Sequence, residues 1–131
     1  MTIMHVTYQG ELRTQAVHQQ SGNVIITDAP KDNHGKGEAF SPTDLLAASL
    51  GSCILSIMGI KARSMNIKLE GTTCEIEKIM QATPRKVAEI KVNLTWGPEV
   101  PESAKPVLRE VGLTCPVALS LDPSVKKTIQ W

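Results

Sequence analysis

The stretch LLAASLGSCILSIMGI, residues 45–60, runs for sixteen residues without a charge, and it constrains the fold more than any other feature of the chain. It falls short of the ~20 residues a membrane-spanning helix needs. Ser49, Ser52 and Ser56 also interrupt it, so it reads as a buried core helix. The residues just before it are a helix start. Ser41 serves as N-cap, Pro42 takes the first helical position, and Asp44 completes an arrangement like a capping box. Asp44 also places a carboxylate at the positive end of the helix dipole. The helix is expected to run to about Ser64, ending in the basic Lys61 and Arg63. An uncharged helix of that length calls for burial on nearly every side. One small sheet cannot cover it, which points to a second chain.

The flanking segments supply the sheet. Residues 3–9 and 12–18 read as short strands joined at Gly10, and 23–28 as a β-branched strand after the Ser21-Gly22 turn signal. Residues 29–40, APKDNHGKGEAF, have the composition of a loop. Two long strands are expected beyond the helix. The first, 68–83, alternates around Cys74 and Ile76. The second, 86–96, alternates through Val87, Ile90, Val92 and Leu94, with a slip near Ala88. Residues 101–112 read as a helix stopped by Gly112, CPVALSL (115–121) as a short second helix, and 125–131 as a closing strand. The order βββ–α–ββ–αα–β is an α+β architecture, helices on antiparallel sheet, in a single domain spanning 1–131.

Bulk properties narrow the function. With 131 residues the chain has surface enough to bury one core. A net charge of +1 provides no field for gathering phosphates or anionic lipid, and 3% aromatics make no base-stacking platform. Nucleic acid and membrane are therefore not expected partners. MTIMHVTYQG lacks a basic start and an apolar export region, so a cytoplasmic location is expected. Cys53, Cys74 and Cys115 are odd in number and form no C-x-x-C pair, the usage of reduced thiols rather than a disulfide scaffold.

Chemistry has few places to reside. His5, His18 and His34 lack ligand spacing, so no metal site is expected. GNVI and HGKGE lack the spacing of a phosphate-binding loop, and LGSCIL is no nucleophile elbow. The cysteines remain. Cys53 shares a helical face with Leu46, Leu50 and Ile57, and packing as a small apolar residue explains it as well as reactivity does. Cys115 directly precedes Pro116 and is the expected N-cap of the short helix, where unpaired N–H groups lower a thiol pKa. Cys74 lies on the apolar side of its strand. If Cys53 and Cys115 meet, one thiolate could attack a peroxide and the other condense with the sulfenic acid to a disulfide. A nearby arginine would favour the thiolate. Arg13 lies inside a strand pattern, where it either faces outward or needs a carboxylate partner.

FSPTDLLAASLGSC, followed by TCPVALSL and a short terminal strand, resembles the OsmC/Ohr family, the osmotically inducible and organic hydroperoxide resistance proteins. The resemblance covers essentially the whole chain. It implies an α+β fold with a long buried central helix, assembled as an intertwined homodimer with active sites at the subunit interface. It further implies a thiol-dependent peroxidase acting on small organic hydroperoxides in stress defence, without metal, flavin or other cofactor. Cys53 matches the peroxidatic cysteine, Cys115 the resolving one and Arg13 the assisting arginine. Reduction by a dithiol of lipoyl type is what the resemblance implies for the hydroperoxide-resistance branch. One departure stands out: the family glutamate after the helix-opening proline is Thr43 here. Asp44 and Glu38 are the carboxylates that could take its place beside the arginine. Phe40, Leu50, Ile57 and Met58 are expected to line an apolar substrate pocket. The competing reading is a non-enzymatic dimer of the same fold that binds a small apolar or electrophilic molecule.

Overall fold

The computed structural model describes residues 1–131, which form two compact units, Met1–Leu46 and Ala47–Trp131. The first unit is an antiparallel meander of β1 (Met4–Gly10), β2 (Arg13–His18) and β3 (Val24–Asp28), in that order across the sheet. Glu11 and Leu12 turn the first hairpin with positive φ, and β2 and β3 pair from Val17 with Val24 to Arg13 with Asp28. The loop after β3 contains a single 3-10 turn at Lys31–Asn33 and folds back on the strand ends. Ala29 N–H donates to Leu12 O (3.0 Å), and Asp28 N–H to Phe40 O (3.1 Å). Gly35 is required there: a Cβ at that position would stand 1.8 Å from Ala29 O.

Helix α1 (Pro42–Ser64) starts where the sequence places it. Ser41 Oγ accepts the Asp44 N–H (3.0 Å) and Asp44 Oδ2 accepts the Ser41 N–H (2.9 Å), a reciprocal capping box closed by aspartate. Within this chain α1 is buried along one side only. Ala47, Leu50, Gly51, Ile54, Met58 and Ala62 are buried, a single stripe at helical spacing, while Leu46 and Ile60 are exposed. The absence of charge therefore corresponds to one covered stripe and a second apolar side that this chain leaves partly open.

In the second unit β4 (Thr73–Ala82), β5 (Arg85–Thr95) and β6 (Lys126–Gln130) make a three-stranded sheet. The strand β4 begins later than expected, because residues 65–72 are turn and loop around Gly71, which has positive φ. The slip near Ala88 is a bulge: Ile79 pairs with Glu89 and Met80 with Val87, so Ala88 has no partner opposite. Strand β6 lies parallel to β5, not antiparallel as the sequence reading had it. A parallel neighbour needs a crossover. A 3-10 turn (Glu102–Ala104), α2 (Lys105–Gly112) and α3 (Pro116–Ser120) provide it. The α1 stripe packs with Val87, Ile90, Val92, Leu94 and Leu108 into one core. The helix comes close to the sheet at Gly51, where a Cβ would lie 2.7 Å from Ile76 Cδ1.

Candidate functional site

Two groups of chemistry-bearing side chains stand out, one in each unit. In the second, Cys53 on α1 and Cys115 at the start of α3 come near enough for their thiols to interact. Both are free, as is Cys74. Cys115 is the residue before Pro116 and holds the N-cap position of α3. It is fully buried, whereas Cys53 keeps partial exposure. Burial pushes the Cys115 thiol up, the neighbouring Cys53 pushes the same way, and the backbone N–H groups of Ala118 and Val117 pull against them. The expectation of a lowered pKa at this helix start is thus overturned. The N–H groups act as expected, but taking the thiolate out of water costs more than they return. Cys74 lies half-buried beside Gly51 with its thiol also raised by burial.

The first unit holds Arg13, paired edge-on with a carboxylate. Arg13 Nε donates to Asp28 Oδ1 (2.7 Å) and Nη2 to Asp28 Oδ2 (2.8 Å), a bidentate pair between residues directly opposite on β2 and β3. Asp28 is 1% exposed and the Arg13 side chain 32%. Asp28 Oδ2 also accepts the Glu38 N–H (3.1 Å), and the Glu38 carboxylate lies 3.4 Å from Arg13 Nη2. The guanidinium bonds hold the Asp28 carboxyl below its usual range, and the carboxylate reinforces the Arg13 charge in turn. Lys36 and Glu11 form a second ion pair nearby in sequence. Asp44 serves the α1 cap, and the Thr43 hydroxyl lies 3.2 Å from Ser41 Oγ.

Asp28 was missed by the sequence reading, which took it for the last residue of a strand. The turn signal did not reveal it: a hairpin centred on Ser21-Gly22 would set Asp28 opposite Gln15, whereas the actual register is centred between Gln20 and Ser21 and sets it opposite Arg13. Of the residues expected to line a pocket, Leu50 and Met58 are closed inside the core, because they fall on the stripe that faces the sheet. Ile57 is half-buried and Phe40 exposed. An open concavity of about 760 Å³ lies elsewhere, along the C-terminal half of α1, lined by Leu55, Gly59, Ile60, Arg63, Ile67 and Leu69 among others.

Residues 35–130 match the family of OsmC-like proteins. The chain belongs to the OsmC-like family. This OsmC-like protein is 54% identical to a Psychrobacter arcticus 273-4 protein described as osmotic-stress-induced and part of a detoxification response. The match to that crystal structure covers 98% of this chain and 94% of the other at a TM-score of 0.93. The fold recurs at lower identity. An organic hydroperoxide resistance protein from Legionella pneumophila superposes at a TM-score of 0.77 with 19% identity, covering 98% and 94% of the two chains. One from Elizabethkingia anophelis superposes at 0.71 with 18% identity, covering 98% and 93%. No curated protein sequence matches this OsmC-like chain.

Proposed function

We propose that this OsmC-like protein is a thiol peroxidase of stress defence that reduces organic hydroperoxides, with Cys53 peroxidatic and Cys115 resolving. The observation that supports this reading is the nearness of the two thiols, Cys53 on α1 acting directly on Cys115 at the start of α3. A detoxification role for the 54% identical relative, and hydroperoxide-resistance names on proteins of the same fold, agree with it. The Cys53 thiolate attacks the outer oxygen of the hydroperoxide. An S–O bond forms as the O–O bond breaks, the sulfur gives up two electrons, and the alkoxide departs with a proton as the alcohol. Cys115 then attacks the sulfenic sulfur and the S–S bond forms. The departing hydroxide takes the Cys115 proton, which burial has kept on the thiol. A dithiol, by this reading of lipoyl type, returns the pair to two thiols and is itself oxidised to a disulfide. The cycle balances without metal or flavin. In this scheme Arg13 supplies a permanent cation that favours thiolate and polarises the peroxide.

The reading includes a homodimer. Met4, Val6, Tyr8 and Ile25 share one face of the first sheet and are all exposed, and α1 leaves Leu46 and Ile60 open. Apolar surface of that kind gains by being covered. To test the chemistry, reduced protein is treated with one equivalent of cumene hydroperoxide and mapped by peptide mass. A Cys53–Cys115 disulfide with Cys74 still free is expected; both thiols remaining free overturns the two-cysteine cycle.

A further inference from the structure

Resting on the peroxidase reading, we propose that Trp131 is a positioning residue for the resolving thiol: its ring, packed on Gly112, holds the turn from which Cys115 approaches Cys53. Only Leu113 and Thr114 separate the end of α2 from Cys115. Both are exposed, so the turn is held from its inner side. There the Cys115 N–H donates to Gly112 O (3.4 Å) and the Thr114 N–H to Val111 O (3.0 Å). Where Gly112 sits therefore sets where Cys115 sits.

Gly112 is buried at the end of α2. A Cβ there would stand 3.1 Å from Trp131 Cη2 and 3.4 Å from both Ile54 Cγ2 and Met58 Sδ. The missing side chain lets the helix end press against all three. Ile54 and Met58 belong to the buried stripe of α1, and Ile54 directly follows Cys53. Trp131, delivered by β6, thus closes a seat whose floor is the helix that carries the peroxidatic thiol. A close-packed seat passes a displacement on rather than absorbing it. Cys115 is itself fully buried, so its sulfur has little room to find Cys53 independently of the turn.

The step at issue is the second one, in which the Cys115 sulfur displaces hydroxide from the Cys53 sulfenic acid and the hydroxide leaves as water with the Cys115 proton. Dimedone, a carbon nucleophile, competes for the same sulfenic sulfur and also releases water, and the partial exposure of Cys53 admits it. Reduced protein is given one equivalent of cumene hydroperoxide with dimedone present, and the Cys53 adduct is measured against the Cys53–Cys115 disulfide by peptide mass. Trp131→Ala is expected to raise the adduct-to-disulfide ratio roughly 10-fold, below the ~100-fold that a 1 Å misplacement can cost. The rate at which peroxide consumes the Cys53 thiol should stay within about twofold, because that step does not use Cys115. A loss of stability alone leaves the ratio in the folded protein unchanged. Trp131→Phe, which keeps a ring beside Gly112, should stay within about threefold of wild type. Gly112→Ala should raise the ratio in the wild-type background and change it by less than about twofold once Trp131 is alanine, since the ring it crowds is gone. If Trp131→Ala does not fold, Trp131→Leu takes its place with the same readings. An unchanged ratio, or an additive cycle, overturns the assignment of Trp131 alone. Peroxide that leaves Cys53 unoxidised, or wild type that forms no disulfide even without dimedone, overturns the peroxidase reading and this one with it.

Discussion

Single side chains decide the reactivity of this protein, and their electrical surroundings are only partly written in their neighbours. Cys115 has the local signature of an activated thiol, a proline after it and a helix beginning, yet complete burial reverses the sign. A raised pKa means the thiol keeps its proton at pH values where a free cysteine, near ~8.5, is half ionised. In a Cys53→Ser/Cys74→Ser variant, the pH profile of Cys115 alkylation should therefore have its midpoint above that of a free cysteine. Its linkage to stability has a definite direction: the unfolded chain releases this proton first, so stability is retained below the ordinary thiol range and lost as pH rises through the folded value. Asp28 works in the opposite sense. Its folded pKa is depressed, so its contribution is present above the ordinary carboxylate value of ~3.9 and vanishes as pH falls through the folded one. Thermal midpoints recorded downward from pH 7 should hold until that acid window and then drop. Asp28→Asn, already lower at pH 7, should lose that component of the drop. Neither effect could be read from local sequence, because burial and a partner fifteen residues away are products of the fold.

Helices and strands were far more legible. Ser41, Pro42 and Asp44 announce α1 because capping is satisfied within four residues, and the bonds at 2.9 and 3.0 Å are those the spacing requires. Ser41→Ala should cost about 1 kcal/mol in denaturant unfolding. The Ala88 bulge was visible for a similar reason: a single extra residue breaks an otherwise regular alternation. Strand direction was not visible. Alternation is the same whichever way a strand runs, and β6 took its parallel course from the crossover through α2 and α3. Apolar composition records what a helix can bury and not how much of it one chain covers, and this chain covers one stripe of α1. The stripe that is covered bears the stability of the second unit. Leu50→Ala, at a fully buried position against the sheet, should destabilise by about 2–5 kcal/mol. Gly35→Ala should reshape the loop after β3, because the added carbon meets a backbone carbonyl that cannot rotate away. The expected readout is faster proteolysis between residues 29 and 40.

For the whole molecule, the exposed apolar rows on the first sheet and on α1 predict self-association. Sedimentation should give a particle of twice the 14.2 kDa chain mass, and Val6→Glu with Ile60→Lys should shift it toward the monomer. An unchanged mass for the double variant would place the contact elsewhere. The family and the α+β class could be recognised because the helix start, the cysteine helix and the Cys-Pro helix each depend on short-range patterns. The Arg13 partner could not, since it depends on a register between strands. The parallel β6 has one more consequence, in the order of synthesis. Strand β5 pairs with β4 on one side and waits for residues 126–130 on the other. On the ribosome, the meander and the β4–β5 hairpin can form as they emerge, but the sheet of the second unit cannot be completed until residue 130 is outside. The last strand made is the one that closes the sheet.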